Sequence, residues 1–207
     1  ESTTKEGALR RFVRHLLYVM TDNPVTAVAF ALFVLIVIAA LFGPWLVPYN
    51  PLSTDSSSTL QAPSWQHWFG TDHLGRDVFS RVVVATRLDL MIAVTAVVIA
   101  FVVGSMLGAI AGFYGGWTDR ITGRLMDTIM AFPLFVLAMG IVAAAGNTIE
   151  NVIYATAIIN LPFYARMARA EVNIRREAGF VQAAKLSGNS DLRVLAVHIF
   201  PNSLPPM

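Results

Sequence analysis

Four stretches of this chain are almost continuously apolar, and polar, turn-forming or basic segments separate them. They run from about Val25 to Val47, Leu88 to Gly112, Asp127 to Ala145 and Ile149 to Ala165. None alternates with a period of two. A membrane-spanning helix needs roughly 20 successive apolar residues, and in lipid a helix pairs every backbone polar group within its own segment. The pattern therefore predicts an all-α membrane protein, a polytopic helical bundle with four spans. Within the second stretch, Gly104, Gly108 and Gly112 recur every four residues and so share one helical face. Small residues at that spacing let two helix backbones approach closely. A packing groove inside one subunit fits them better than a seam between subunits, though both are compatible with the spacing. Asn160 and Pro162 interrupt the fourth stretch. Proline removes an amide donor and kinks a helix, and an intramembrane amide faces a cavity or another helix. Bending alone accounts for the two residues, and so does lining a translocation path.

Composition agrees with a membrane setting: 56% of the 207 residues are apolar and only 14% charged, with a mean hydropathy of +0.61. There is no cysteine, so disulfides and thiolate-ligated metals play no part. The 15 Lys and Arg residues are distributed unevenly among the connectors. Lys5, Arg10, Arg11 and Arg14 precede the first stretch, and Arg120 and Arg124 lie between the second and third. Arg166, Arg169, Arg175, Arg176, Lys185 and Arg193 follow the fourth. With the N-terminus inside, these twelve face the cytoplasm, against Arg76, Arg81 and Arg87 outside. The positive-inside bias sets that orientation. It makes residues 1–24 a cytoplasmic segment and residues 25–207 the transmembrane domain. Within that domain, residues 48–86 form a long extracytoplasmic loop and residues 168–207 a cytoplasmic one.

The cytoplasmic loop predicts two short helices. Phe180, Ala183, Ala184 and Ser187 share a face at helical spacing, and Gly188 ends that helix in the left-handed conformation glycine tolerates. Ser190 caps a second helix with Asp191 in its first turn. Leu192, Leu195, Ala196 and Ile199 form its apolar stripe, and Pro201 and the Pro205–Pro206 pair mark its exit. A hairpin that binds only lipid is the plain alternative. The small alanines favour docking against protein.

Several separated segments carry a family resemblance. The run Gln182-Ala183-Ala184-Lys185-Leu186-Ser187-Gly188, closed by Ile199-Phe200-Pro201, is similar to the "EAA" loop of ATP-binding-cassette importer permeases. Gln182 stands where glutamate is usual, and Phe200 where leucine is usual. Tyr49-Asn50-Pro51, Phe69 to Arg81 (FGTDHLGRDVFSR), Ala111 to Arg120 (AGFYGGWTDR) and Met126 to Pro133 (MDTIMAFP) resemble permeases of the dipeptide, oligopeptide and nickel importers. The resemblance implies a bacterial or archaeal inner-membrane permease subunit for peptides or a related small solute. It also implies a second permease subunit, two ATPase subunits and an extracytoplasmic substrate-binding protein as partners. The family carries six spans, so the chain is expected to be incomplete at its C-terminus. By positional match, Gln182, Ala183, Ala184, Gly188, Ile199 and Pro201 are the expected ATPase-coupling residues.

No catalytic, cofactor-binding or metal-binding residue is expected. Neither HExxH nor GxxxxGK[ST] occurs, so ATP hydrolysis falls to partners. Asp72, His73 and Asp77 are metal-compatible side chains, but their spacing fits a salt-bridged turn better than any defined site. A secondary transporter or channel would carry intramembrane charges for ion coupling, and a membrane scaffold would need no coupling hairpin.

Overall fold

The computed structural model describes residues 23–204; Lys5, Arg10, Arg11, Arg14 and His15 of the N-terminal segment, and the Pro205–Pro206 pair, lie outside the described residues. Among the described residues the regular secondary structure is helical, apart from one isolated β-bridge between Thr71 and Asp77. The chain divides into two compact units, one reaching Leu90 and the other starting at Met91.

In the first unit, α1 spans Pro24–Leu46. The Asn23 side chain caps it, its Oδ1 accepting from the amides of Val25 (3.0 Å) and Thr26 (3.4 Å). Pro24 occupies the first turn, where a missing amide costs nothing. Only Ala40 and Gly43 of this helix are buried. A helix that is apolar all round suits a lipid environment.

The connector after α1 is a tightly bonded loop. Asp55 caps a 3₁₀ turn, Ser56–Ser58, through the Ser57 amide at 2.9 Å. The Asp55 amide in turn donates to Leu74 O at 3.1 Å. Gly75 must be glycine: its φ is +71°, and a Cβ there would lie 1.7 Å from Asp55 O. Asp72 accepts from the amides of Leu74 (2.8 Å) and Arg76 (3.1 Å) and pairs with the Arg76 guanidinium at 2.8 Å. Partial burial raises the Asp72 pKa, but these donors outweigh it and hold the value at about 2. Asp77 does not join that network. Its Oδ1 lies 2.9 Å from His67 Nδ1, and its Oδ2 accepts from the Ser80 amide at 2.8 Å. Burial opposes ionisation of Asp77 too, yet Ser80 and His67 leave its pKa lowered. His67, which has no signature in the sequence, also stacks on Tyr49 with ring centroids 4.8 Å apart. Both carboxylates of the metal-compatible trio are thus occupied by protein donors.

With its carboxylate at the helix start, Asp77 lets α2 begin at Val78, ten residues before the expected Leu88, and run to Tyr114. Charged residues such as Arg81 and Arg87 hide this first part from a hydropathy reading. The connector between α1 and α2 is correspondingly shorter than the predicted loop of residues 48–86.

The third predicted span is not one helix. Helix α3 (Gly116–Met130) and helix α4 (Leu134–Ala145) meet at 94° across Ala131–Pro133. Pro133 lacks an amide and disfavours helical backbone at the residue before it. Asp127 therefore belongs to α3, whereas α4 has 12 residues, about 18 Å of rise against a hydrocarbon core of about 30 Å. By length and apolarity, α1 and α2 can each cross a membrane, as can α3 and α4 if taken as one broken span.

The fourth predicted span is instead an unbroken helix, α5 (Ile149–Arg175), capped by Thr148, whose Oγ1 accepts from the Asn151 amide at 3.3 Å. Neither Asn160 nor Pro162 ends it. Asn160 donates its Nδ2 to Thr156 O at 2.7 Å, one turn back, and the Pro162 ring is fully buried. A cleft of about 510 Å³ between α4 and α5 has Val142, Val152, Ala155 and Thr156 in its wall; neither Asn160 nor Pro162 lines it.

The second unit is organised by the approach of α5 to α2. A Cβ at Gly104, Gly108 or Gly112 would lie 2.7, 2.0 and 2.6 Å from the carbonyl oxygens of Leu161, Ala165 and Arg169, respectively. Both series ascend together in steps of four, so the two helices run parallel with backbones in contact. Small side chains continue this seam outward, with Ala96 and Ala100 packed on Ala157. Phe101 and Tyr164 meet edge to face at 5.5 Å.

Gly108→Leu should push α5 off α2, lowering stability by about 1–3 kcal/mol, typical of overpacking. Gly123→Ala, where a Cβ meets nothing within 4 Å, should be neutral or stabilising by up to about 1 kcal/mol. Thermal unfolding of the full-length protein in detergent checks both. A second expectation concerns acid. The folded-state pKa of Asp72 lies below its ordinary value of about 3.9. Its contribution is therefore complete above about pH 4 and is lost as pH falls towards 2. Trp68, 4.7 Å from the Phe79 ring, should report that loss by fluorescence, and Asp72→Asn should flatten the acid transition.

Candidate coupling site

After Arg175 the chain forms α6 (Gly179–Leu186), turns at Gly188, and continues as one turn of α-helix, α7 (Asp191–Arg193). A π-helical segment (Val194–Ile199) and a last α-helical turn, α8 (Phe200–Ser203), follow. The turn is set by hydrogen bonds that only a left-handed residue permits. Gly188 has φ +81°, its amide donates to Lys185 O at 3.0 Å, and the Asn189 amide donates to Ala184 O at 3.3 Å. These are the paired bonds of a glycine-terminated helix end. Asn189 Nδ2 adds a further bond to Ala184 O at 2.9 Å. Ser190 then caps the next helix, accepting from the Arg193 amide at 3.4 Å. Lys185 spans the turn to Asp191 at 3.6 Å and lies 5.0 Å from the Phe113 ring centroid. Exposed ion pairs of this kind contribute ~0–1 kcal/mol, so the backbone geometry sets the angle between the helices.

The face that α6 buries against its own chain is not the shared face of Phe180, Ala183, Ala184 and Ser187. Val181 and Ala184 are buried, whereas Phe180, Ala183 and Ser187 are exposed. The buried pair joins Ala109 and Phe113 of α2, Val172 of α5, and Val194, Leu195 and Ile199 in one apolar cluster. Helical spacing puts Phe180, Ala183, Ala184 and Ser187 on one face suited to docking against protein; of these only Ala184 is buried in the chain's own core. The α2–α5 seam ends here, and the larger Val181 fills the space below it.

The second helix corrects the expected stripe as well. Leu195 and Ile199 are buried, but Leu192 and Ala196 are exposed, and Val194 takes their place. Val194 and Ile199 are five residues apart and share a face only where bonds run from i to i+5. The Phe200 amide accordingly donates to Leu195 O. Pro201 supplies the reason, since its ring crowds the carbonyl four residues earlier in an α-helix and a wider turn relieves that clash.

Of the predicted coupling residues, Ala184 and Ile199 serve the chain's own core, while Gln182, Ala183, Gly188 and Pro201 are exposed. Gln182 donates to Glu177 O at 3.4 Å. Leu186, 90% exposed, and Leu192, 71% exposed, extend the outward surface on either side of the turn.

A polytopic helical membrane subunit with an apolar surface on a helix–turn–helix is the class this arrangement defines. Residues 104–207 match the family model described as "Binding-protein-dependent transport system inner membrane component". Residues 6–63 match "N-terminal TM domain of oligopeptide transport permease C". The chain belongs to the family of binding-protein-dependent transport system inner membrane components. It is 39% identical over 192 residues to the probable D,D-dipeptide transport system permease protein of Escherichia coli strain K12. It is 40% identical over 188 residues to the dipeptide transport system permease protein of Alkalihalophilus pseudofirmus. Against the glutathione transport system permease protein of Shigella flexneri serotype 5b, identity is 44% over 180 residues. These matches cover 93, 91 and 86% of this chain but 64, 62 and 59% of the relatives, respectively. The chain thus spans less than two thirds of the length of these relatives.

At Gly188 a Cβ would meet nothing within 4 Å, so backbone conformation alone resists substitution. Gly188→Val should cost about 1–2 kcal/mol and expose the α6 amides, whereas Gly188→Asn, which tolerates the left-handed region, should cost less. Hydrogen exchange over residues 179–193 should rise for valine and stay near wild type for asparagine.

Proposed function

We propose that this chain is the membrane-spanning permease subunit of an ATP-driven importer for peptides or a related small solute. The hairpin around Gly188 receives the movement of a separate ATPase. The observation that carries this reading is the division of the hairpin surface. Val181, Ala184, Val194 and Ile199 lock it to the ends of α2 and α5, while Phe180, Ala183 and Leu186 face outward. A push on the outer face then reaches the parallel α2–α5 pair without an intervening flexible joint. ATP hydrolysis takes place on two ATPase subunits, and a second permease subunit completes the path. An extracytoplasmic binding protein delivers the solute. Binding and hydrolysis shift the population between inward-open and outward-open states. The N-terminus and the hairpin are cytoplasmic, following the charge bias, in a bacterial or archaeal inner membrane. Asn160 and Pro162 contribute by shaping α5, whose exposed neighbours line the path.

The cysteine-free sequence permits a direct experiment on the complete complex. An impermeant maleimide should label Ser56→Cys in intact cells and Leu186→Cys only in inside-out vesicles. Added ATPase subunit should protect Leu186→Cys. Gly188→Val should insert normally but lose most solute uptake, with ATP hydrolysis no longer responding to solute. Normal uptake by Gly188→Val, or labelling of Leu186→Cys unaffected by the ATPase, would remove the coupling role.

A further inference from the structure

A second polar site lies where α2, α3 and α5 meet, away from the outer face of the hairpin. A cleft of about 340 Å³ there is lined by Arg166, Arg169 and Arg176 of α5 and its end, with Asp119 as the one carboxylate in the wall. Gly115 and Gly116 form its floor with φ of +65° and +55°, which removes side chains from the entry to α3. The arginines are held but not exhausted. Arg169 grips Asp119 through both Nε and NH2, the latter at 2.6 Å, and Arg166 donates through NH2 to Asp127 at 2.7 Å. Arg176 donates through NH1 to Gly112 O at 3.2 Å, and its NH2 lies 3.5 Å from the Glu177 carboxylate. A guanidinium carries five N–H donors, so each keeps donors for a ligand. Arg166, Arg169 and Arg176 each have one carboxylate neighbour, Asp127, Asp119 and Glu177 respectively, of which only Asp119 lines the cleft.

The surroundings identify the ligand chemistry. Gly112 and Tyr114 close the long apolar run of α2, placing the cleft at a membrane–water boundary. The opposite face of α3 exposes Trp117, Ile121 and Leu125, with Arg120 lying 5.7 Å from the Trp117 ring centroid. An apolar stripe with tryptophan and flanking arginines is the pattern of a helix lying in the headgroup layer. Planar guanidinium forks match phosphate oxygens in pairs, and the free amides of a helix start favour an anion.

We propose that the Arg166–Arg169–Arg176 cleft is a phosphate-binding site that takes the phosphodiester headgroup of an anionic phospholipid or free phosphate. Such a ligand would bridge α5 to the start of α3 and fix the bent α3–α4 pair against the parallel helices. The site rests on the membrane setting and not on the hairpin's coupling role, so either can fail without the other.

The test uses the full-length subunit in its assembled complex, purified in detergent. Phosphatidylglycerol, phosphatidylcholine and inorganic phosphate are offered in turn. Native mass spectrometry counts retained lipid, and phosphorus-31 line broadening reports phosphate. Wild type should retain phosphatidylglycerol over phosphatidylcholine by about tenfold, as expected for one charged hydrogen-bonded fork. That preference should vanish in Arg176→Gln and in Arg166→Gln, survive in part in Arg176→Lys, and be unchanged in Arg124→Gln, which lies outside the cleft. Phosphate broadening that depends on Arg176, without lipid preference, supports the same cleft with free phosphate as its ligand. Equal retention and equal broadening in wild type and variants overturn the proposal. So does a loss seen only in variants that melt below wild type.

Discussion

Everything in the second unit depends on the absence of side chains at Gly104, Gly108 and Gly112. Each Cβ position is already occupied by the α5 backbone, most severely at Gly108, 2.0 Å from Ala165 O. In lipid no hydrophobic effect draws two apolar helices together, and close packing must do so instead. A parallel pair in backbone contact is stiff. Its ends form the platform on which Val181, Ala184, Val194 and Ile199 are packed.

Stiffness in the pair and strain relief in the hairpin answer different needs. The hairpin turns within a few residues, through Gly188 at φ +81° and a π-helical stretch before Pro201. Short π segments are frequent at functional sites because they rotate side chains relative to an α-helix. Here the rotation puts Val194 and Ile199 on the inner face together and turns Leu192 and Val197 outward. The hairpin thereby meets the helix bundle with one surface and leaves another exposed.

Polar bonds outside the apolar stretches position the ends of the helices. Asp77 starts α2 from the loop and is itself held by His67. Arg166 and Arg169, three residues apart on α5, meet Asp127 and Asp119, eight apart on α3. These pairs join elements that apolar packing alone would leave free to slide.

The sequence by itself determined the helical class, the cap at Ser190, the turn at Gly188, and the glycine face of α2. Each is a local property of a few residues or a regular spacing. Family membership was also legible, because its motifs are short and ordered along the chain. The tertiary structure decided the rest. Hydropathy averages over a window and could not show that Ala131–Pro133 turns the third stretch by 94°. Nor could it show that α5 passes unbroken through Pro162. Helical periodicity gave the faces of α6 but not which one is buried, since that depends on the space left by Phe113 and Val172. The π-helical phase was equally hidden, because it arises from a proline acting on a carbonyl several residues away within a packed surface. Contacts between α3 and α5 join residues some forty to fifty positions apart, and only the folded chain brings those charges together.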